Sequence, residues 1–362
     1  MQPDHDRRLG HSLIVDHPAS GRDALCMTTG IHEAYDRVHR YGPEYGGDEE
    51  GNHGMTNHAP MAAEVIVRRG LDINIDHWLD RYERRLDERP PAGDPIADWR
   101  EALGDHRRLP AWTGLFASEL RDRRWTDVLT QWWPRLLPGM VAGSTHGVIR
   151  VGHAVRTLRT GDSEPALNEL ANGLAFWAAR YRPLPVSRHE VATDPRTALD
   201  HVPRLADQSG LIAHRIGRLG ELPPRPAGDD PMRQLTSLVD AATRAYLSYG
   251  PAAPVLLVHT ATAPNAVAHI LPVLPRDLWA ASYATSWSAV AAIVAMYAPA
   301  EGVDVAGGDP GTASAVLDRA AGHGDEHVLK FTDTAVEAYE RRPDPDLLRA
   351  AQLAGALIST PH

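Results

Sequence analysis

Apolar residues recur at helical spacing through one segment after another of this chain, a pattern that leaves little room for any fold but a helical one. Leu25, Ile31, Ala34 and Val38 repeat in this way across 23–41, and Trp78, Leu79 and Tyr82 lie on one side of 76–86. The same spacing predicts helices over 61–69, 112–120, 125–137, 147–159, 164–180, 204–219 and 232–248. Turn formers sit at the expected places: Gly42-Pro43 after the first segment, Pro60 in the first turn of the second and Gly70 at its end. Strand signals are scarce. Val255–Val258 reads equally as a strand or as the start of a buried helix, and 301–311 reads as a loop. The proline-rich stretch 222–231 is the best internal boundary, but it serves as well as a surface loop. The expected fold is all-α, a single large helical domain over 23–362, with 1–22 peripheral or poorly ordered.

With 43% hydrophobic residues, the 362-residue chain has enough apolar surface for a sizeable core. A net charge of -10 gives no basic footprint for nucleic acid or for an anionic membrane surface. Cys26 is the single cysteine, which excludes an internal disulfide and a thiolate metal cluster and is expected to be a small buried residue. The longest apolar candidate for a membrane span, 280–298, is broken by Ser282, Thr285, Ser286 and Ser288 and reads as a buried helix. The first 22 residues lack the continuous apolar stretch of a signal peptide, so a cytoplasmic location is expected. The sequence sets no oligomeric state.

Common catalytic motifs are missing. There is no P-loop, no GxGxxG after a strand, no GxSxG elbow and no HExxH pair. What stands out is Lys330, the only lysine against 36 arginines (37 basic residues less one). A lysine amine can be neutralised by burial and can react, which a guanidinium cannot. Four segments also place a histidine beside small or turn-forming residues in apolar surroundings: His58 before a helix, His146, His259, and His327 beside Lys330. A core histidine satisfied by a hydrogen bond explains any one of these singly; their joint pattern suggests a shared centre between helices.

Spacing limits who can share an ion. His146 and His153 stand seven apart, about 10.5 Å along a helix, so one ion cannot hold both and the other would lie nearby. His327 and Lys330, three apart, share a helical face. A neutral Lys330 amine could bind a metal directly, or as a carbamate after capturing carbon dioxide. Imidazoles with a carboxylate suit iron, zinc or copper.

At these residues the chain resembles the questin oxidase-like family. The stretches that carry the resemblance are GNHGMTNHAPMAAEVIVRRG, QWWPRLLPGMVAGSTHGVIRVGHAVRTL, NELANGLAFWAARY, LLVHTATAPNAVAHILPVLP and DEHVLKFTDTAVEAY. That family includes fungal enzymes that open anthraquinone or related polyketide rings and were described as Baeyer–Villiger type oxidases. Members with a described centre are similar to non-haem iron enzymes with histidine ligands and a carboxylated lysine. The resemblance implies that His58, His146, His259, His327 and Lys330 hold the metal. His153 stands where fungal members often show tyrosine, and Arg150 where they often show histidine.

The expected activity is that of an Fe(II) oxygenase using O2 to cleave a carbon–carbon bond of an anthraquinone-like aromatic ring. Asn57, Arg150 and His153 are expected as polar groups around the substrate, and Trp177, Tyr283 and Trp287 as walls for a flat ring. Two alternatives remain: an NADPH-dependent monooxygenase without flavin, and a non-catalytic small-molecule binding protein of the same fold.

Overall fold

The computed structural model describes residues 21–46, 54–303 and 308–361; over 21–29 it describes the helix but not the side chains. Most of the 1–22 segment, the Cys26 side chain and part of the 301–311 loop therefore lie outside the described residues. The chain is 66% helix and 2% strand, an all-α fold.

Helix α1 spans Gly21–His39, α2 Ala59–Arg69 and α3 Ile75–Glu83. Helices α4 (Leu109–Asp122) and α5 (Trp125–Leu136) lead to α6 (His146–Leu158) and α7 (Glu164–Ala179). After an irregular stretch come α8 (Pro231–Tyr249), α9 (His259–Ile270) and α10 (Trp279–Tyr297). The chain closes with α11 (Ala313–His323), α12 (Glu326–Arg341) and α13 (Pro345–Leu357). The strands are two-residue pairs: Glu44–Tyr45 antiparallel to Met55–Thr56, and Glu190–Val191 parallel to Arg225–Pro226. Val255–Val258 is not a strand; Pro254–Leu257 is a helical turn running into α9.

Helices α2, α6, α9 and α12 form a closed ring in which α2 packs on α6, α6 on α9, α9 on α12 and α12 on α2. Close packing on α6 depends on missing side chains. A Cβ on Gly147 would lie 2.7 Å from the Trp177 Cβ of α7, and one on Gly152 would lie 2.6 Å from the Ala266 Cβ of α9. The glycines thus let backbones approach at distances no alanine tolerates.

One expectation needs correction. The helix over 204–219 is reduced to Ile212–Ile216. Upstream, the Leu205 amide donates to the Ala295 carbonyl, the Asp207 side chain accepts from the Ser209 amide, and Gly210 turns at φ 82. That local side-chain bond competes with the helical ladder and wins. The stretch 222–231 is tied to the rest of the chain: Leu222 is buried in the main core and Arg225–Pro226 pairs with Glu190–Val191.

The segment Arg276–Tyr297 is long and apolar enough to cross a membrane by length and composition, more than its interrupting hydroxyls suggested; 83% of its most apolar window is buried inside the protein. Its serines are satisfied locally: Ser282, Ser286 and Ser288 each donate to the carbonyl four residues back.

Candidate metal centre

Every helix of the ring begins with a histidine. His58 is the residue before α2, His146 and His259 are the first residues of α6 and α9, and His327 is the second residue of α12. Local chemistry sets each start. Asn57 Oδ1 accepts from the Ala59 amide and Pro60 fills the first turn of α2, where a missing N–H costs nothing. Asp325 caps α12 by accepting from the His327 and Val328 amides. Before α6, Gly143, Ser144 and Thr145 all have positive φ, at 51°, 57° and 68°. Two consecutive non-glycine residues in that region store backbone strain, of order 1–3 kcal/mol each. The turn brings the Gly143 carbonyl back to His146.

The five donors converge. His146 Nε2 and His259 Nε2 are 3.0 Å apart, and Lys330 Nζ lies 3.4 Å from His58 Nδ1. The His58 ring is 4.5 Å from those of His146 and His327, centre to centre. Ring nitrogens of His58, His146 and His327 lie within 4.8 Å of one another, a spacing that could hold a metal ion. His327 also approaches Asp325 Oδ1 at 3.5 Å. Lys330 is buried one helical turn below His327.

The donor set passes a test of fit. His146 Nδ1 contacts the Gly143 carbonyl at 2.5 Å and His259 Nδ1 the Leu256 carbonyl at 3.1 Å. A carbonyl only accepts, so both Nδ1 atoms carry the ring proton and both Nε2 atoms carry lone pairs. Burial, followed by the neighbouring positive groups, holds His58, His146 and His259 well below the ordinary histidine range, so the rings are neutral. Two bare nitrogens then face each other at 3.0 Å with no proton to share. Nitrogens bound to one ion at about 2.1 Å and ~90° apart lie ~3.0 Å from each other. A cation bound between them would resolve the repulsion.

Burial also pushes the Lys330 amine down to about 8, with Glu326 and Asp325 opposing the fall. Neutral imidazoles and a neutral amine bring no negative charge to an ion. Two carboxylates lie nearby: Asp325, beside His327, and Glu326, whose Oε1 is 3.9 Å from His58 Nδ1 and whose other partner is Arg85 at 3.4 Å. Sequence reasoning missed Glu326, although it stands four residues before Lys330 on the same helical face.

The three polar residues expected around a substrate are tied into the scaffold. Asn57 donates from Nδ2 to the Gly42 carbonyl while its oxygen caps α2. Arg150 donates to the Asn57 carbonyl at 3.0 Å and to Glu169 Oε2 at 2.8 Å, while its Nε approaches Glu169 Oε1 at 2.5 Å without hydrogen-bond alignment. His153, two turns below His146, bonds Glu64 at 2.8 Å and is held down to about 4 by burial and by Arg156.

The aromatic residues expected as walls are likewise engaged elsewhere. Trp177 donates to Gly139 O, Tyr283 to Pro226 O and Trp287 to Pro223 O. Trp177 backs α6 at Gly147; Tyr283 lines a separate cavity with Pro226 and Gln234.

Beneath the donors lies a second buried layer. Arg156 bonds Glu64, Asp333 (3.0 Å) and Glu337 (3.0 Å), and Glu337 bonds Asn265 (2.8 Å) and His269 (2.8 Å). These residues come from the same four helices, one to three turns past their donors. The ring is therefore parallel, and four helix N-termini point at the centre.

No family model matches the chain, and no curated protein matches it.

Proposed function

We propose that the chain is a non-haem iron oxygenase that opens an anthraquinone-like aromatic ring by oxidative carbon–carbon cleavage. The observation that carries a metal centre is the pair of bare Nε2 atoms of His146 and His259 at 3.0 Å, each fixed from behind by a main-chain carbonyl. The ring-cleaving activity rests on the resemblance of the donor-bearing segments to questin oxidase-like enzymes. Iron held by His58, His146, His259, His327 and Lys330 would supply the dioxygen chemistry.

The chain's own groups prepare the place. Anchored Nδ1 atoms keep the His146 and His259 lone pairs aimed inward. Arg150 fixes the main chain entering His58. The burial that lowers the Lys330 amine leaves a large neutral fraction near pH 8, and a neutral amine condenses with carbon dioxide to a carbamate with release of one proton. Such an anion suits a site facing four helix N-termini, whose partial positive charges oppose an unbalanced cation.

The test is metal content by mass spectrometry, for the wild type beside His58→Ala and Lys330→Ala. About one iron per chain in the wild type, lost in both variants, followed by oxygen uptake with hydroxyanthraquinones, is the expected result. Full retention in both variants, or a wild type that takes up no iron anaerobically, overturns it.

A further inference from the structure

We propose that a cavity of about 330 Å³ beside the centre binds the anionic group of the substrate, so that the substrate is an organic anion: an aromatic carboxylate or phenolate. This deepens the reading above and rests on it. The cavity lies between the end of α3 and the start of α12, lined by Trp78, Arg81, Tyr82, Arg84, Arg85 and Glu326. Its volume falls within the range of small-molecule sites, about 300–1,000 Å³.

Two contacts join it to the donors. The Tyr82 hydroxyl accepts from the His58 amide at 2.8 Å, and Glu326 Oε1 is 3.9 Å from His58 Nδ1. A group in the cavity is thus one side chain from a donor. A larger cavity of about 410 Å³ around Tyr41 and Thr113 contains neither of these residues in its lining.

The charge of the lining selects the ligand. Three guanidiniums face one carboxylate, a surplus of two positive charges in a chain whose net charge is -10. Arg85 is engaged, over the Tyr82 ring at 4.0 Å and beside Glu326 at 3.4 Å. Arg81 and Arg84 have no ion pair with any described residue, whereas Arg37, on the neighbouring α1, holds Asp80 and Glu83 of the same helix. The acids of α3 are thereby drawn to its other face, leaving the cavity side cationic. Planar guanidinium forks match a carboxylate. Trp78 and Tyr82, stacked at 5.1 Å with the Trp78 N–H held by Gly324 O, give that side a rigid inner wall.

The test uses full-length protein incubated anaerobically with Fe(II), with anthraquinone-2-carboxylate and its methyl ester as probes. Binding is read by calorimetry without oxygen, so turnover plays no part. The acid is expected to bind about tenfold or more tighter than the ester, a preference that shrinks with salt. Arg81→Gln with Arg84→Gln should remove that preference, leaving ester affinity, iron content and circular dichroism unchanged. Equal affinity for acid and ester, no binding of the acid, or an unaltered preference in the double variant overturns the anion site. If those failures come with iron still bound, the metal centre stands alone. Arginine-dependent acid binding by a wild type that takes up no iron supports the anion site while removing the iron reading.

Discussion

Arg150, one turn past His146 on α6, donates to the carbonyl of Asn57, the residue before His58, at 3.0 Å. The helix that starts at one donor therefore holds the strand-to-helix loop that ends at another. It also donates to the Pro43 carbonyl at 3.4 Å and to Glu169, buried on α7.

Removing Arg150 alone leaves Glu169 as an uncompensated buried charge, so Arg150→Met should destabilise by about 3–5 kcal/mol. Adding Glu169→Leu should recover most of that stability. Iron content should stay low in the double variant, because the Asn57 carbonyl is still unheld. Denaturant unfolding paired with metal analysis separates the two effects, and full iron content in the double variant would sink the positioning role.

Metal-free protein should weaken as pH falls from about 6.5. The lowered His58, His146 and His259 stay neutral in the fold while the unfolded chain takes up protons, so the unfolded state gains. Each histidine contributes up to about 1.4 kcal/mol per pH unit below ~6. The buried acids Glu64, Asp333 and Glu337 are held below their usual range and add their loss only below about 4.5. Melting curves at pH 7.5, 6.0 and 5.0 should show the first decline above pH 5, and His259→Asn should flatten it.

Lys330→Met should have opposite effects on the two forms of the protein. A drop of the amine from 10.5 to about 8 corresponds to roughly 3 kcal/mol against the charged form. The metal-free variant should be more stable than wild type at pH 7 by up to that amount. Iron should raise the melting temperature of the wild type and leave that of the variant unchanged. A destabilised metal-free variant would contradict the account of the buried amine.

Gly152→Ala should wedge α6 away from α9, placing a Cβ 2.6 Å from the Ala266 Cβ and 2.9 Å from its Cα. The expected cost is about 1–3 kcal/mol, with iron affinity lowered because His146 and His259 lie on these two helices. Ala266→Gly added to it should restore part of both. No change on Gly152→Ala, measured by melting and iron titration, would mean the helices separate freely.

The helical frame was legible because apolar spacing survives in a single sequence. So were the candidate ligands: His58, His146, His259 and the His327–Lys330 pair stand out in four segments, and the structure brings these side chains together. The roles of Arg150 and His153 were not legible. Their partners, Glu169 and Glu64, sit 19 and 89 residues away, and nothing local marks a buried arginine as paired. The hydrogen bonds of Trp177, Tyr283 and Trp287 were not legible for the same reason, since the carbonyls that hold their polar edges, of Gly139, Pro226 and Pro223, are remote in the chain. The failed helix over 204–219 had a local warning in Asp207-Gln208-Ser209-Gly210, a turn sequence inside an apolar repeat.

The ion-paired layer around Arg156 has a kinetic consequence. Its acids remain ionised well below neutral pH, so it clamps the four helices together whether or not anything sits above it. An incoming ion would then meet a finished socket, with loading that needs no refolding of the four helices, and metal uptake by the folded chain should proceed without a change in circular dichroism.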